Sequence, residues 1–324
     1  MNVVDRFDRF QRRHPVLGYP IGVVYKFFDD SGGYLAALIT YYAFVSLFPL
    51  LLLLATILSW LLRSRPDLQE AIIESALRQV PVVGDQLGNP KALSGGVTGV
   101  VIGILVSVYG VLGVGNAVQF ALNTVWAIPR NRRPNPITAR VRSLGVVLIG
   151  GLAIVGTTTL STMAALRVGW FTPQVSLVVT FLANTLIVNG VFRWGVSRLM
   201  PVRHHIGGAL LAALLWQLIQ SFGVVYIGRV VSEASATNGV IGFVLGLLAF
   251  VYLVAVVLVI CAEVNVVAAR NLYPRALLTP FTDNVDLTDA DKEAYAAQAR
   301  SMRTKAYETI EVRFDRDPPT PSHQ

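Results

Sequence analysis

The chain has 324 residues, of which 54% are hydrophobic and 14% charged, with a formal net charge of +8. Soluble domains use about 25% charged residues to cover their surface, so this composition argues against a soluble domain and for lipid as the solvent. Its one cysteine, Cys261, excludes an intrachain disulfide and a cysteine-rich metal site.

Residues 1–14 (MNVVDRFDRFQRRH) are strongly charged. No short apolar segment with a small-residue cleavage site follows, so no cleavable signal is expected. Pro15–Phe28 is apolar and aromatic but too short to span a membrane. It reads as an elbow along the inner interface, with Tyr19, Tyr25 and Phe27 at headgroup depth. A spanning helix needs about 20 mostly apolar residues. Six stretches qualify: 35–62, 95–126, 143–166, 174–192, 206–228 and 239–262. The fourth is the shortest, and a different reading there reverses every segment after it. Between the first two spans, Asp67–Val83 carries Leu68, Ile72, Ala76 and Leu77 at helical spacing. It reads as an amphipathic helix on the outer surface. Beyond the sixth span the chain turns polar. Thr288 is suited to cap a helix from Asp289 to about Thr304, and the last residues, DPPTPSHQ, have a disordered composition. The expected fold is thus all-α and polytopic, with interfacial amphipathic helices. It divides into an N-terminal segment 1–30, a six-helix transmembrane domain 31–275 and a polar, partly disordered tail 276–324.

Arg and Lys set the orientation of such a chain. They gather before the first span (Arg6, Arg9, Arg12, Arg13, Lys26), after the second (Arg130, Arg132, Arg133, Arg140, Arg142) and after the fourth (Arg193, Arg198, Arg203). Arg270 and Arg275 open the tail, whereas two of the alternate loops hold Arg167 and Arg229 alone. The pattern puts both termini in the cytoplasm. Topology therefore accounts for the basic excess, and no nucleic-acid partner is expected.

Polar side chains within the spans are costly in hydrocarbon and usually face the bundle interior. The first span carries Tyr41, Tyr42 and Ser46; the second carries Asn116, Gln119 and Asn123 on one face. Arg193 closes the fourth, Gln217 and Gln220 share a face of the fifth, and Glu263 and Asn265 end the sixth. The topology brings several of these toward the cytoplasmic side, where they form a candidate substrate-binding pocket. A Glu263–Arg193 pair is geometrically possible there. The competing reading is that Asn, Gln and Thr are interhelical glue. Pro49 is a candidate hinge or a static bend. Glycines at every fourth residue suit close helix packing, whereas Gly110, Gly113 and Gly115 suit a loosened second helix.

SGGYLAALITYYAFVSLFPLLLLL (Ser31–Leu54), with its tyrosine pair and Ser-Leu-Phe-Pro, resembles the opening helix of the YihY/BrkB family of bacterial inner-membrane proteins, its YhjD-like members above all. ARVRSLG (Ala139–Gly145), HIGGALLAALLW (His205–Trp216) and the final Ala262-Glu263-x-Asn265 are similar to later family motifs. The family's Tyr-Gly before the last helix is replaced by Thr237, Asn238 and Gly239. The resemblance covers about Ser31 to Arg275. It implies six helices, a cytoplasmic-membrane location and a role in envelope integrity, with transport of a lipid or lipid-linked envelope precursor as the common suggestion. The family's old label, ribonuclease BN, implies an enzyme, but four scattered histidines (His14, His204, His205, His323) offer no clustered metal ligands.

The expectation is a transporter or flippase, with no enzymatic activity, no cofactor and no metal. Its partners are membrane lipids, with anionic headgroups at the basic rim, and a homo-oligomer is open. The alternative is a scaffold that binds envelope-synthesis proteins and transports nothing.

Overall fold

A computed structural model describes residues 8, 10–13, 15–61, 97–165, 173–198, 200–233, 236–277, 279 and 285–314. The amphipathic segment Asp67–Val83 and the last residues, DPPTPSHQ, lie outside them. The described residues are helical, with no strands. A short helix α1 (Pro15–Asp29) leads into six long ones: α2 (Gly32–Leu61), α3 (Val97–Val125), α4 (Pro136–Ala165), α5 (Pro173–Gly195), α6 (Ile206–Glu233) and α7 (Ala236–Arg270). A tail helix, α8 (Asp289–Ser301), follows. Within α5 and α7, Gln174–Gly195 and Val244–Arg270 are long and apolar enough to cross a membrane.

Sequential neighbours pack side by side from α2 to α7, and α7 packs back on α2. The six long helices therefore close a ring, with α3 reaching across to α7 and α1 lying against α7. Hydrogen bonds tie several helix ends together at one end of the ring. The Lys26 ammonium of α1 donates to the Val125 carbonyl at the end of α3 (3.2 Å). The Ser197 amide, just past α5, donates to Asn123 of α3 (2.9 Å). The Gly208 amide at the start of α6 donates to Asn265 near the end of α7 (2.7 Å). Turns at this end use left-handed residues: Ser31 between α1 and α2 (φ 55°), Ala127 after α3 and Asn271 after α7 (φ 53°). Asn tolerates that conformation because its short polar side chain bonds locally.

Glycines permit the closest contacts. A methyl group at Gly208 would overlap the Cys261 carbonyl oxygen of α7 and the Asn265 amide. Gly113 lies under the ring of Tyr42, and a Cβ at Gly115 would meet Ser143 of α4 at 2.6 Å. Gly110, Gly113 and Gly115 thus join α3 to its neighbours and do not loosen it, which corrects the sequence reading. Pro49 falls inside α2, but its side chain lies outside the described residues.

The tail folds back on the start of the chain. Thr288 caps α8 in a reciprocal box with Asp291, as its sequence predicts. Asp291 and Arg275 are both wholly buried and form an ion pair. Arg275 also pairs with Asp29 at the end of α1 (2.9 Å) and lies 5.4 Å over the Tyr295 ring. Gln298 of α8 donates to the Asp29 carbonyl (2.7 Å), and Gln11 to that of Arg275. Arg275 reads in the sequence as a topology signal; its wholly buried side chain instead clasps the tail to α1.

Removing one partner of a buried ion pair leaves the other charged and unpaired, at a cost of about 3–5 kcal/mol. Arg275→Met is therefore expected to release α8 and expose Lys292 and Arg300 to trypsin, which limited proteolysis of the membrane-bound protein will check. Gly208→Ala is expected to destabilise by about 1–3 kcal/mol through overpacking. Gly242→Ala, with open space around its new methyl group, is the neutral control in the same detergent melts.

Candidate functional site

The charged side chains buried deepest at the joined end are Lys26, Asp30 and Glu263. Lys26 is 3% exposed, Asp30 6% and Glu263 0%. Lys26 and Asp30 are one helical turn apart at the end of α1, and their side chains form a direct ion pair. The Lys26 ammonium lies 3.7 Å from Glu263 of α7. Burial works against the ammonium, yet the carboxylates of Glu263 and Asp30 outweigh it and hold its pKa above the ordinary lysine value. Burial raises the Asp30 carboxyl above its ordinary range, against the pull of Lys26. Tyr19, expected at headgroup depth, donates its hydroxyl to the Val264 carbonyl (2.7 Å), which helps to seat α1 on α7.

Eleven residues are candidates for the pocket in the sequence, and they do not gather round one pocket. Ser143 donates to Asn116 (2.7 Å), and Gln119 donates to Ser143 (2.7 Å) and to the Ala139 carbonyl (3.0 Å). With Asn123 these form a polar seam between α3, α4 and the end of α5. Tyr41 is 60% exposed and stacks edge-on against Tyr42, which in turn meets Tyr109. Ser46 bonds within α2, to the Ala43 carbonyl (3.0 Å). Gln217 donates to the Leu177 carbonyl (3.2 Å), and Gln220 is half-buried near the middle of α6. Asn265 holds the start of α6. Arg193 is exposed, and the cation beside Glu263 is Lys26. Depth alone suggested the Arg193 pairing; Lys26, which the sequence offered as a topology signal, has the matching azimuth.

A cavity of about 170 Å³ lies between α4, α5, α6 and α7. Its walls are mostly apolar and include Val188, Ala212, Trp216 and Leu258, with Thr157 and Asn184 as polar lining. Asn184 is 9% exposed, and its side-chain nitrogen has no hydrogen-bond partner among the described residues. Leu258 precedes Glu263 by five residues, so the cavity begins about 7.5 Å along α7 from the charge cluster. None of the eleven candidates lines it. Both polar lining residues are visible in the sequence as polar positions within spans, but nothing there singles them out. Among the described residues no group of three or more His, Cys, Asp or Glu is arranged to hold a metal ion.

His205, the residue before α6, is wholly buried between Trp126 (5.3 Å) and Phe192 (6.5 Å), and neither ring nitrogen has a partner among the described residues. Burial, with His204 and Arg193 nearby, lowers its pKa to about 4. In the unfolded chain it titrates near 6.5. Between those values the unfolded chain binds a proton that the folded chain refuses, so stability falls as pH drops from about 6.5 to about 4. His205→Phe keeps a ring against Trp126 and is expected to flatten that fall. Unfolding midpoints of both proteins across this window will check it.

The family model described as "Virulence factor BrkB" matches residues 23–283. The Inner membrane protein YhjD of Escherichia coli (strain K12) is 25% identical over 277 residues, covering 78% of this chain and 81% of that protein. No solved structure shows a significant match. The matched region runs from the end of α1 through the whole ring and past Arg275, so it takes in Lys26, Asp30, Glu263 and the cavity. The chain belongs to the BrkB family of membrane proteins.

Proposed function

We propose that this protein is a transporter or flippase that moves a lipid or lipid-linked envelope precursor across the bacterial cytoplasmic membrane, and that envelope integrity depends on it. In this reading all six long helices cross the membrane and both termini are cytoplasmic. The observation that carries the proposal is the cavity between α4, α5, α6 and α7, apolar apart from Thr157 and Asn184, whose side-chain nitrogen has no partner among the described residues. An unsatisfied amide in an apolar environment costs about 1–3 kcal/mol, so a static packing role is a poor account of it. An ester, amide or hydroxyl group next to an acyl chain would satisfy the amide and fill the walls together. Small-molecule sites occupy about 300–1,000 Å³. At about 170 Å³ the cavity has room for only part of a lipid.

The charge pattern supports the same reading. Arg130, Arg132, Arg140, Arg193, Arg198 and Arg203 are exposed in or beside the α3–α4 and α5–α6 connections, at the joined end. A basic rim there agrees with a cytoplasmic face and attracts anionic headgroups. The name of the E. coli relative supports the location, since it is called an inner membrane protein. The proposal includes no enzymatic step, cofactor or nucleic acid, and it leaves a homo-oligomer open. A scaffold role is the less favoured reading, because the described part of the tail is docked on α1 through Arg275 and is not a free arm.

Purified protein in liposomes is expected to move a labelled anionic lipid between leaflets. Asn184→Leu, which replaces the amide by an apolar side chain of similar size, is expected to slow this about tenfold, a barrier change of about 1.4 kcal/mol. Wild-type protein that moves no labelled lipid counts against transport. If removing residues 283–324 alone abolishes the cellular phenotype while Asn184→Leu is normal, the scaffold reading wins.

A further inference from the structure

Glu263 is wholly buried, and neither of its carboxylate oxygens has a hydrogen-bond donor among the described residues. Its nearest cation, Lys26, stands 3.7 Å away and bonds Asp30 more closely. Its other polar neighbour is the Asp30 carboxyl, with the Asp29 carboxyl beyond. Arg270 and Arg275 make their direct bonds to other groups. Arg270 donates to the Trp126 carbonyl and lies near Glu293, Asp30, Arg198 and Arg300, so its charge also acts on Asp30 but makes no ion pair with it, while Arg275 is held by Asp29 and Asp291. The facing end of α3 offers Lys26 the Val125 carbonyl, which carries no charge. One ammonium is thus shared by two buried carboxyl groups that face each other.

Two like charges sharing a dry site cannot both remain ionised at low cost; one of them holds a proton. A proton on Glu263 turns the repulsion into an O–H donated to Asp30, and gives the orphaned carboxyl its missing partner. We propose that the Glu263–Asp30 pair is a proton-binding site that couples the transport described above to the proton gradient; the coupling rests on that transport reading, the site itself does not. The raised pKa of Asp30 agrees with a pair that keeps one proton between them.

Occupancy has a mechanical consequence. With the proton bound, Lys26 is satisfied by Asp30 and Val125, and α1 loses its ion pair to α7. With the proton gone, both carboxylates compete for the ammonium, and α1 is drawn to α7. The proton comes from water and returns to water, with no other bond made or broken. Glu263 lies seven residues, or about 10 Å, from the end of α7 at Arg270, so the path to the aqueous face is short.

Infrared difference spectroscopy of the full chain in liposomes tests the site directly. Wild type is expected to show the carbonyl band of a protonated carboxylic acid at neutral pH, lost on titration to higher pH. Glu263→Gln is expected to lose that band, and Asp30→Asn to shift the pH at which it disappears. A wild-type protein without the band, or a folded Glu263→Gln that keeps it unchanged, overturns the proposal; the Asp30 variant serves if the Gln variant fails to fold. In the same liposomes, labelled-lipid movement by wild type should depend on an imposed pH gradient, and Glu263→Gln should lose that dependence. Gradient-independent lipid movement without the band overturns the proton site and leaves transport standing. The band without lipid movement in wild type does the reverse: it supports the proton site and overturns the transport reading.

Discussion

The ammonium of Lys26 reaches three parts of the chain that are far apart in sequence: its own helix end at Asp30, the carbonyl that closes α3 and the carboxyl near the end of α7. A charge this deeply buried persists because its partners surround it, and desolvation would otherwise cost several kcal/mol. The consequence is geometric. α1 is too short to span a membrane, so its position depends on what holds it to the ring. Lys26, Tyr19 and the packing of Gly22 on Leu272, where a Cβ would come within 2.8 Å of the carbonyl oxygen, provide that hold. With α1 fixed, Asp29 presents itself to Arg275, and the tail has an anchor. The second buried cation depends on the position set by the first.

These two cations differ in a way that matters. Arg275 meets two carboxylates and an aromatic face, with Gln11 on its carbonyl. Its planar guanidinium suits a fixed fork of partners. Lys26 is a point charge on a flexible stem, which lets it exchange partners with little change of backbone. The first arrangement builds a permanent joint, and the second permits a choice between two states. Both occur within one short helix and its flanks, so the same element is clasped at one face and adjustable at the other.

Much of this was legible in the sequence. The charge-free intervals gave the long helices, Thr288 gave the tail helix with its cap, and the motifs of Ser31–Leu54 and Ala262–Asn265 gave the family. What hydropathy does not contain is rotation about a helix axis. Glu263 and Arg193 have compatible depths, yet Arg193 points outward, and a residue in an interfacial elbow 237 positions before Glu263 supplies the cation. Lys26 and Arg275 were legible as basic residues near membrane ends, a role that needs no partner. Their burial depends on α1 folding against α7, a tertiary fact with no local signature. Asn116, Gln119 and Asn123 did share a face, as their spacing requires, but that face meets Ser143 and the end of α5, not Glu263.

That contrast separates structural polarity from the rest. Along the α3–α4 seam most side-chain groups bond one another, with the Gln119 carbonyl oxygen left over, and such networks hold helices together. On the α5–α7 side they do not close. Among the described residues the Asn184 nitrogen, which faces a cavity, and both nitrogens of His205 lack partners, and both oxygens of Glu263 lack donors. A native fold retains few such groups, and each carries a cost that packing alone does not explain. His205 escapes most of it by staying uncharged among aromatic rings. Asn184 and Glu263 have no comparable escape within the protein, since an amide cannot shed its polarity and a lone carboxyl needs a proton. In the functions proposed above, both become satisfied by something that comes and goes: a polar group of lipid for one, a proton for the other. α7 carries Glu263 toward α1 and also walls the cavity, so a shift of α7 against α1 alters both environments together.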